Sequence, residues 1–381
     1  MSMQMVTQSL LVYRITGSAA ILGIIALATG VPQVIFSLFS GALADRFPKK
    51  HLIQLAQSLS AATSLLIAIC LATGYISVEK PDSWWVLLVT SFIQGAMNAL
   101  MMTARSSIIP ELVPRDQIVN AMSLNSMGMQ VFQFLAPAAA GILIDVSGFA
   151  AVYFIMSGLC MMAIILTNFL PVTASRKPGD NKRSIMKDII QGLQYAKNDT
   201  TVLLIVIFTM MCVVIAQPLS TLLSVFADDI LKVGATGMGI LQGVLSAGAL
   251  AASLFFASIP PKSRGLLMLI GGLCLGLSQA AFAFSTSWPL SLLLIVFIGV
   301  GRIGHMTPAT TLLQSYTDPL YLGRVISLLN LSMGLGSLTT FLNGVIAEFI
   351  GVQWTVGLFA IILILADVII FFTVPRIRKI D

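Results

Sequence analysis

Charged side chains are scarce in this 381-residue chain, where Asp, Glu, Lys and Arg together make up 9% of the residues. Soluble domains carry about 25%. Hydrophobic residues make up 57%, and a soluble core does not hide that much apolar surface. The chain also lacks the alternation of polar and apolar residues that builds a membrane β-barrel. We therefore predict an all-α membrane protein, because a helix satisfies its own backbone hydrogen bonds where lipid excludes water.

Cysteine and histidine are also sparse, and their spacing excludes several kinds of site. The four cysteines all fall within apolar runs and contain no CxxC pair, which argues against a disulfide framework or a metal site. With only two histidines, far apart, the chain has no HExxH motif, and we find no P-loop. We expect neither an enzyme nor a bound cofactor or metal. The cysteines are Cys70, Cys160, Cys212 and Cys274.

Long apolar runs recur along the chain, and each is long enough to cross the roughly 30 Å hydrocarbon core of a bilayer. A further run, 1–13, is too short to span, whereas the second half of the chain has a full run, 200–228, at the corresponding position. We therefore expect the first helix to be truncated, by roughly 15–20 residues. A protein with one genuinely short helix is the alternative. The eleven predicted spans are 18–43, 52–74, 84–108, 117–145, 149–172, 200–228, 235–258, 265–285, 288–314, 322–350 and 352–374.

Lysine and arginine are distributed unequally between the two sides of the predicted bundle. Threading the spans back and forth places seventeen of them on the side of Lys49 and Lys50, and only Arg14, Lys80 and Lys232 on the other. By the positive-inside rule the first side is cytoplasmic. The net charge of +6 then reflects loops at a membrane, and we expect no nucleic acid partner. The predicted location is a bacterial inner membrane, with the C-terminus in the cytoplasm.

A polar connector divides the chain into two similar halves. Within it, the stretch SIMKDIIQGLQYAKND places its isoleucines and Leu193 on one helical stripe, which predicts an amphipathic helix on the cytoplasmic surface. The predicted domains are an N-terminal bundle at 1–173, the linker at 174–199 and a C-terminal bundle at 200–381. Each half contains a long helix, a short polar loop with proline and a helix bearing Ser or Asn. Internal repeats of this kind are typical of secondary transporters.

Two segments carry a resemblance to a known family. GALADRFPKK resembles the loop signature between the second and third helices of the major facilitator superfamily, with Pro48 where that family usually has Gly. ARSSIIPELVPRDQIVNAMSLNS resembles the loop between the fourth and fifth helices of its bacterial exporter branch, which includes enterobactin exporters and macrolide efflux pumps. The resemblance implies two pseudosymmetric six-helix bundles around a central cavity. The segment around Pro137 is similar to an antiporter element of the family, with Ala at two Gly positions.

The first of these segments suggests a conformational latch. Gly41 permits close approach of two helices, and Asp45 follows it at the membrane edge. The resemblance places Asp45 near the start of the eleventh helix, at Arg324, where a helix N-terminus stabilises an anion. Arg46 holds the loop in the cytoplasm, and Arg105 is expected to pair with Asp45. The alternative is that these charges only flank a membrane helix.

Polar residues inside predicted spans are candidates for a substrate cavity, because they are costly in lipid. Gln94, Asn98 and Arg105 share one face of the fourth helix. Pairing or snorkelling accounts for Arg105, whereas Gln94 and Asn98 are expected to line the cavity. A polar partner is the alternative, because polar residues in a membrane helix usually face a cavity or a partner.

The second half contributes the remaining cavity candidates, Gln217, Arg302 and His305. Arg302 and His305 lie three residues apart on one helical face, near the bilayer centre. Arginine can bind an anionic substrate, and histidine titrates near neutral pH. A structural pair bonded to backbone carbonyls is the alternative. Asp367 is a lone acid in the last helix, and we interpret it as paired on an adjacent helix or close to the interface.

These observations predict a secondary active transporter that works by alternating access. The expected activity is export of an amphiphilic small molecule, such as a drug or siderophore, by proton-driven antiport. A lysophospholipid flippase of the same branch and a non-transporting membrane sensor or scaffold are the alternatives. The expected partners are the substrate, protons and the lipid bilayer, and the expected state is a monomer. The substrate itself cannot be deduced from these residues.

Overall fold

The computed structural model describes residues 2–171, 185–258, 263–374 and 378. Within these ranges the chain forms helices and no β-strand. The helices are α1 (Ser2–Thr16), α2 (Ala19–Arg46), α3 (Lys49–Ala72), α4 (Trp84–Leu112), α5 (Ile118–Asn168), α6 (Ile185–Asn198), α7 (Thr200–Val225), α8 (Gly234–Ser258), α9 (Arg264–Ala283), α10 (Trp288–Tyr316), α11 (Pro319–Ile350) and α12 (Val352–Thr373). The all-α prediction is confirmed.

The helices have the lengths that a bilayer requires. In the described ranges, nine helical segments are long and apolar enough to cross a membrane, and α11 adds the shorter apolar helix Gly334–Ile350. The run predicted at 1–13 forms α1, which has 15 residues and is about 22 Å long at 1.5 Å per residue. That length is less than the roughly 30 Å of a hydrocarbon core.

Helix α5 is two helices joined at a glycine. Gly148 has φ 78° and ψ 170°, a conformation that residues with a Cβ rarely adopt. The two arms, 118–147 and 149–168, correspond to the two separate spans predicted from sequence. Pro137 lies inside the first arm, where the backbone stays helical. The break between the spans is therefore a single residue with positive φ and not a loop.

The chain divides into two compact units. The first unit contains Met1–Lys182 and Gly234–Gly239. In it α2 packs on α4, and α3 packs on both α4 and α5. A buried cluster lies where α3 and α4 meet. Its members are Leu52, Ile53, Leu100, Ala104 and Ile108.

Polar contacts hold one end of the first unit together. The Lys49 ammonium forms an ion pair with Glu111 on α4, and the Lys49 residue is only 7% exposed. Lys50 donates to the backbone oxygens of Asn168 and Leu170, at 2.8 and 2.9 Å. A cation there complements the partial negative charge of a helix C-terminus. The basic pair of the loop signature thus contributes directly to packing.

The segment Gly234–Gly239, which begins α8, also belongs to the first unit. The Asp145 carboxylate accepts a hydrogen bond of 2.8 Å from the backbone N–H of Thr236. An acid at this position stabilises a helix N-terminus. Asp145 is therefore a capping residue for α8, although its place in the sequence shows only that it lies at the end of a span.

The second unit contains Arg183–Val233 and Ile240–Asp381. In it α9 packs on α10 and on α12, and α7 packs on α11. Glycines bring α9 and α10 together: a Cβ added at Gly301 would lie 2.6 Å from the Leu275 nitrogen. Small residues permit such close contact between membrane helices. Gly299, Gly301 and Gly304 of α10 all lie where a neighbouring helix backbone approaches closely.

Helix α6 covers most of the predicted amphipathic segment, and it docks within the second unit. The Tyr195 ring stacks on Tyr321 of α11 with a centroid separation of 4.7 Å. The Tyr195 hydroxyl accepts a 3.0 Å hydrogen bond from the backbone N–H of Asp318, just before α11. The Arg324 guanidinium lies 5.0 Å from the centre of the Tyr321 ring. These contacts fix α6 to the start of α11.

The seam between α9 and α10 provides a stability test. We expect Gly301→Ala to lower the melting temperature of the detergent-solubilised protein, because its Cβ overlaps the α9 backbone. The matched control is Gly158→Ala, at a helical, exposed glycine with no atom within 4 Å of the added Cβ. Thermal melts followed by fluorescence size-exclusion chromatography measure both. Equal melting temperatures for the two variants would contradict the close contact.

The ion pair in the first unit predicts a non-additive pair of substitutions. Lys49→Ala and Glu111→Ala should each lower the melting temperature, since each leaves a partly buried charge without its partner. The double variant should be no less stable than the worse single variant. Lys80→Ala, at an exposed lysine, is the control and should be neutral. Additive losses in the double variant would show that the two residues act independently.

Candidate functional site

The polar centre of the second unit is Arg302, the middle residue of α10. Its Nη1 donates to the Ser220 hydroxyl at 3.2 Å, and its Nη2 donates to Gln217 Oε1 at 3.5 Å. Both partners lie on α7. Arg302 is about 21 Å from either end of α10 at 1.5 Å per residue. The structure thus brings two of the predicted cavity residues, Gln217 and Arg302, into contact.

The partners of Arg302 are electrically neutral. No acidic side chain in the described ranges forms an ion pair with it. Placing an arginine at the centre of a membrane helix costs about 2.5–3.5 kcal/mol on insertion scales. A hydroxyl and an amide offset part of this cost, and the guanidinium keeps donors for a further acceptor. Arg302 is partly exposed as a residue.

Gln217 is held between Arg302 and α11. Its Oε1 accepts from Arg302, and a Cβ added at Gly336 of α11 would lie 3.0 Å from Gln217 Cγ. The glycine therefore leaves the space that the glutamine side chain occupies. Ser220 is one turn further along α7 and is 5% exposed. Sequence reasoning missed Ser220, because a serine in an apolar run is too common to single out.

His305 faces away from solvent. It is 2% exposed, and its Nδ1 lies 3.0 Å from the backbone oxygen of Gly301 on the same helix. This contact makes Nδ1–H the donor and leaves Nε2 as an acceptor. Within the described residues Nε2 has no hydrogen-bond partner. The bond to a backbone carbonyl matches the structural alternative for His305, and its cavity role stays a prediction.

The first-unit candidates occupy different environments. Gln94 is buried, and its Oε1 accepts from the Thr63 hydroxyl of α3 at 3.4 Å. Asn98, one turn further along α4, is partly buried. Arg105 is exposed, and its Nε donates to Asn125 of α5 at 3.1 Å. The bond from Thr63 matches the alternative for Gln94, a polar partner, and the cavity role of both amides stays a prediction.

The predicted latch falls largely outside the described side chains. Gly41 and Asp45 lie in α2, and the contacts of both residues fall outside what the structure describes. Arg46 is exposed. Arg105 contacts Asn125, and Arg324 lies over Tyr321. The latch therefore stays a prediction. Arg324 lies beside the stacked Tyr195 and Tyr321 rings that join α6 to α11.

Asp367 is the buried acid that sequence reasoning assigned to a partner or to the interface. It is 2% exposed on α12, and neither carboxylate oxygen has a hydrogen-bond partner among the described residues. The described residues therefore supply no hydrogen-bond partner on an adjacent helix, and the alternative, a site near the interface, stays a prediction. Ala360 and Leu363, on the same stripe of α12, are also fully buried.

Curated relatives of this chain are transporters. It is 24% identical over 381 residues to the multidrug efflux pump Tap of Mycolicibacterium fortuitum, covering 97% of this chain and 91% of the relative. Macrolide efflux protein A of Streptococcus pyogenes is 23% identical, with 96% and 90% covered. Enterobactin exporter EntS of Shigella boydii is 23% identical, with 82% and 73% covered.

Solved structures and a family profile agree with these relatives. A mutant of the peptide transporter POT superposes with a TM-score of 0.79 at 15% identity, covering 100% of this chain and 92% of that one. At this identity the likeness shows the fold. The profile of the Major Facilitator Superfamily matches residues 1–339 and, in a second match, 229–380. This chain belongs to the Major Facilitator Superfamily and has that superfamily's fold.

Proposed function

We propose that this transporter exports an amphiphilic small molecule with a hydrogen-bond-accepting or anionic group, by alternating access and in exchange for protons. Its relatives include proteins named as a multidrug efflux pump, a macrolide efflux protein and an enterobactin exporter. We extend the direction that these names state, which is out of the cell, to this chain. The substrate class rests on the site described above.

Arg302 is the single observation that carries the substrate class. A charge at the middle of a membrane helix is expensive, and among the described residues the side chains that bind it are neutral. An apolar or hydroxylated residue would pack there at lower cost. A substrate oxygen that receives the free guanidinium N–H groups explains why the charge is present. Gln217 and Ser220 then orient the guanidinium, and Gln94, Asn98 and His305 remain candidate lining residues.

The orientation in the membrane belongs to the same proposal. The seventeen-to-three distribution of Lys and Arg supports a cytoplasmic C-terminus and a cytoplasmic α6. The proposal includes the division into bundles at 1–173 and 200–381 with the linker at 174–199. We propose that the transporter acts as a monomer.

Efflux from a bacterial host that lacks its own pumps tests the proposal. We expect cells expressing the protein to accumulate less of at least one probe among ethidium, erythromycin and enterobactin than cells with an empty vector. Arg302→Gln should weaken transport about 10- to 100-fold, as the loss of a hydrogen bond to a charged group is worth about 1.5–3 kcal/mol. The loss should be largest for the oxygen-rich probe, enterobactin.

Two further variants separate a binding role from a packing role. Arg302→Lys keeps the charge and should keep part of the activity, whereas Ser220→Ala should weaken transport less than Arg302→Gln. Lys80→Ala, at an exposed lysine, should behave as wild type. Wild-type accumulation equal to the empty vector for all three probes, together with transport of a labelled lysophospholipid into vesicles, would contradict the export proposal.

A further inference from the structure

Asp367 occupies the buried stripe of α12 that packs on α9. Ala360, Leu363 and Asp367 are spaced by three and four residues, and each is at most 2% exposed. The residue lies about 9 Å from the end of α12 at Thr373, at 1.5 Å per residue. Helix spacing thus puts the carboxyl group at a position where the rest of the stripe is apolar.

The carboxyl group has no partner in this environment. Neither oxygen accepts or donates a hydrogen bond within the described residues. An ionised carboxylate without a partner costs several kcal/mol in an apolar interior, and such groups neutralise instead. The arrangement therefore favours a protonated, neutral Asp367 in this conformation. A residue kept only for packing would not need an ionisable group here.

The neighbouring helices leave space for the acid. On α9, a Cβ added at Gly272 would lie 3.0 Å from Asp367 Oδ2 and 2.6 Å from the Phe208 ring of α7. Phe208 and Cys212, both on α7, are fully buried. Gly272 is thus the position at which α9 lets the carboxyl group fit between α9 and α7.

The titratable groups on the surrounding helices do not neutralise Asp367. On α7 the ionisable group that interacts with Asp367 is the Cys212 thiol, which carries no positive charge in either protonation state. On α9, Cys274 faces α10, with its Sγ 3.6 Å from the Phe297 oxygen. The charged residues of α11 in the described ranges, Arg324 and Glu348, lie close to its two ends. Arg264 begins α9 eight residues before Gly272, about 12 Å away along the helix at 1.5 Å per residue. In the described parts of these helices, no basic group forms an ion pair with Asp367.

We propose that Asp367 is a proton-binding site of this transporter, which holds a proton in this conformation and releases it to solvent in another. The inference rests on the proposed function, because it supplies the acid that proton exchange requires. Binding is a protonation of the carboxylate, and release returns the proton to water. The charge left behind then needs water or a donor, which couples release to an opening of the seam between α7, α9 and α12.

Infrared titration tests the site without a substrate. In the purified protein, pH-difference spectra should show a carboxylic C=O band that disappears as the pH rises and a carboxylate band that replaces it. Asp367→Asn should remove this pair of bands, Asp367→Glu should shift it, and Asp82→Asn, at an exposed loop acid, should leave it unchanged. Identical difference spectra for wild type and Asp367→Asn would overturn the proposal.

Transport in proteoliposomes tests the coupling, with erythromycin and enterobactin as probes. Asp367→Asn should abolish the acceleration of uptake by an imposed pH gradient, whereas Asp82→Asn, at an exposed acid, should keep it. Asp367→Glu should retain part of the acceleration. Full gradient-driven uptake by Asp367→Asn would overturn the inference. Wild-type protein that moves neither probe would instead defeat the proposed function, and the infrared result would still decide the role of Asp367.

Discussion

The absence of water in a bilayer is the constraint on which this structure depends. Backbone groups that meet no water must bond to one another, so every long apolar run of the chain folds as a helix. Apolar burial gives lipid-embedded helices little reason to associate, since lipid is as apolar as they are. Close contact between backbones supplies that reason, at the glycines where α9 meets α10. A few polar contacts, such as the Lys49–Glu111 pair, complete the packing.

The same constraint makes each polar group inside a helix informative. Arg302 and Asp367 carry opposite charges when ionised, but they lie on different helices and have different surroundings. Arg302 is partly exposed and bonded to neutral acceptors, which suits a group that meets a substrate. Asp367 is sealed and has no hydrogen-bond partner among the described residues, which suits a group that is neutral until the helices move. We assign substrate recognition to the first and proton binding to the second.

Sequence reasoning predicted the fold and family well, because hydropathy and helix length are local properties. It also predicted the amphipathic helix α6. Separately, it named Gln217 and Arg302 as cavity residues, and the structure brings these two into contact. It missed Ser220, the ion pair of Lys49 and the capping role of Asp145, since each depends on a partner 62 to 91 residues away. For Asp367 it left open a partner on an adjacent helix or a site near the interface, because a lone acid in a span is costly unless one of these holds.

Composition and spacing alone determined that this chain is a bundle of membrane helices with a polar connector. These properties follow from which residues are apolar and how often they recur, whereas the exporter-like loop signature rested on resemblance to a known family. Tertiary structure decided which polar residues meet: Arg302 with Ser220 and Gln217, and Asp367 with Gly272 and no hydrogen-bonding group of the described chain. The physical reason is that a partner is chosen by helix rotation and crossing, which side chains on several helices set together.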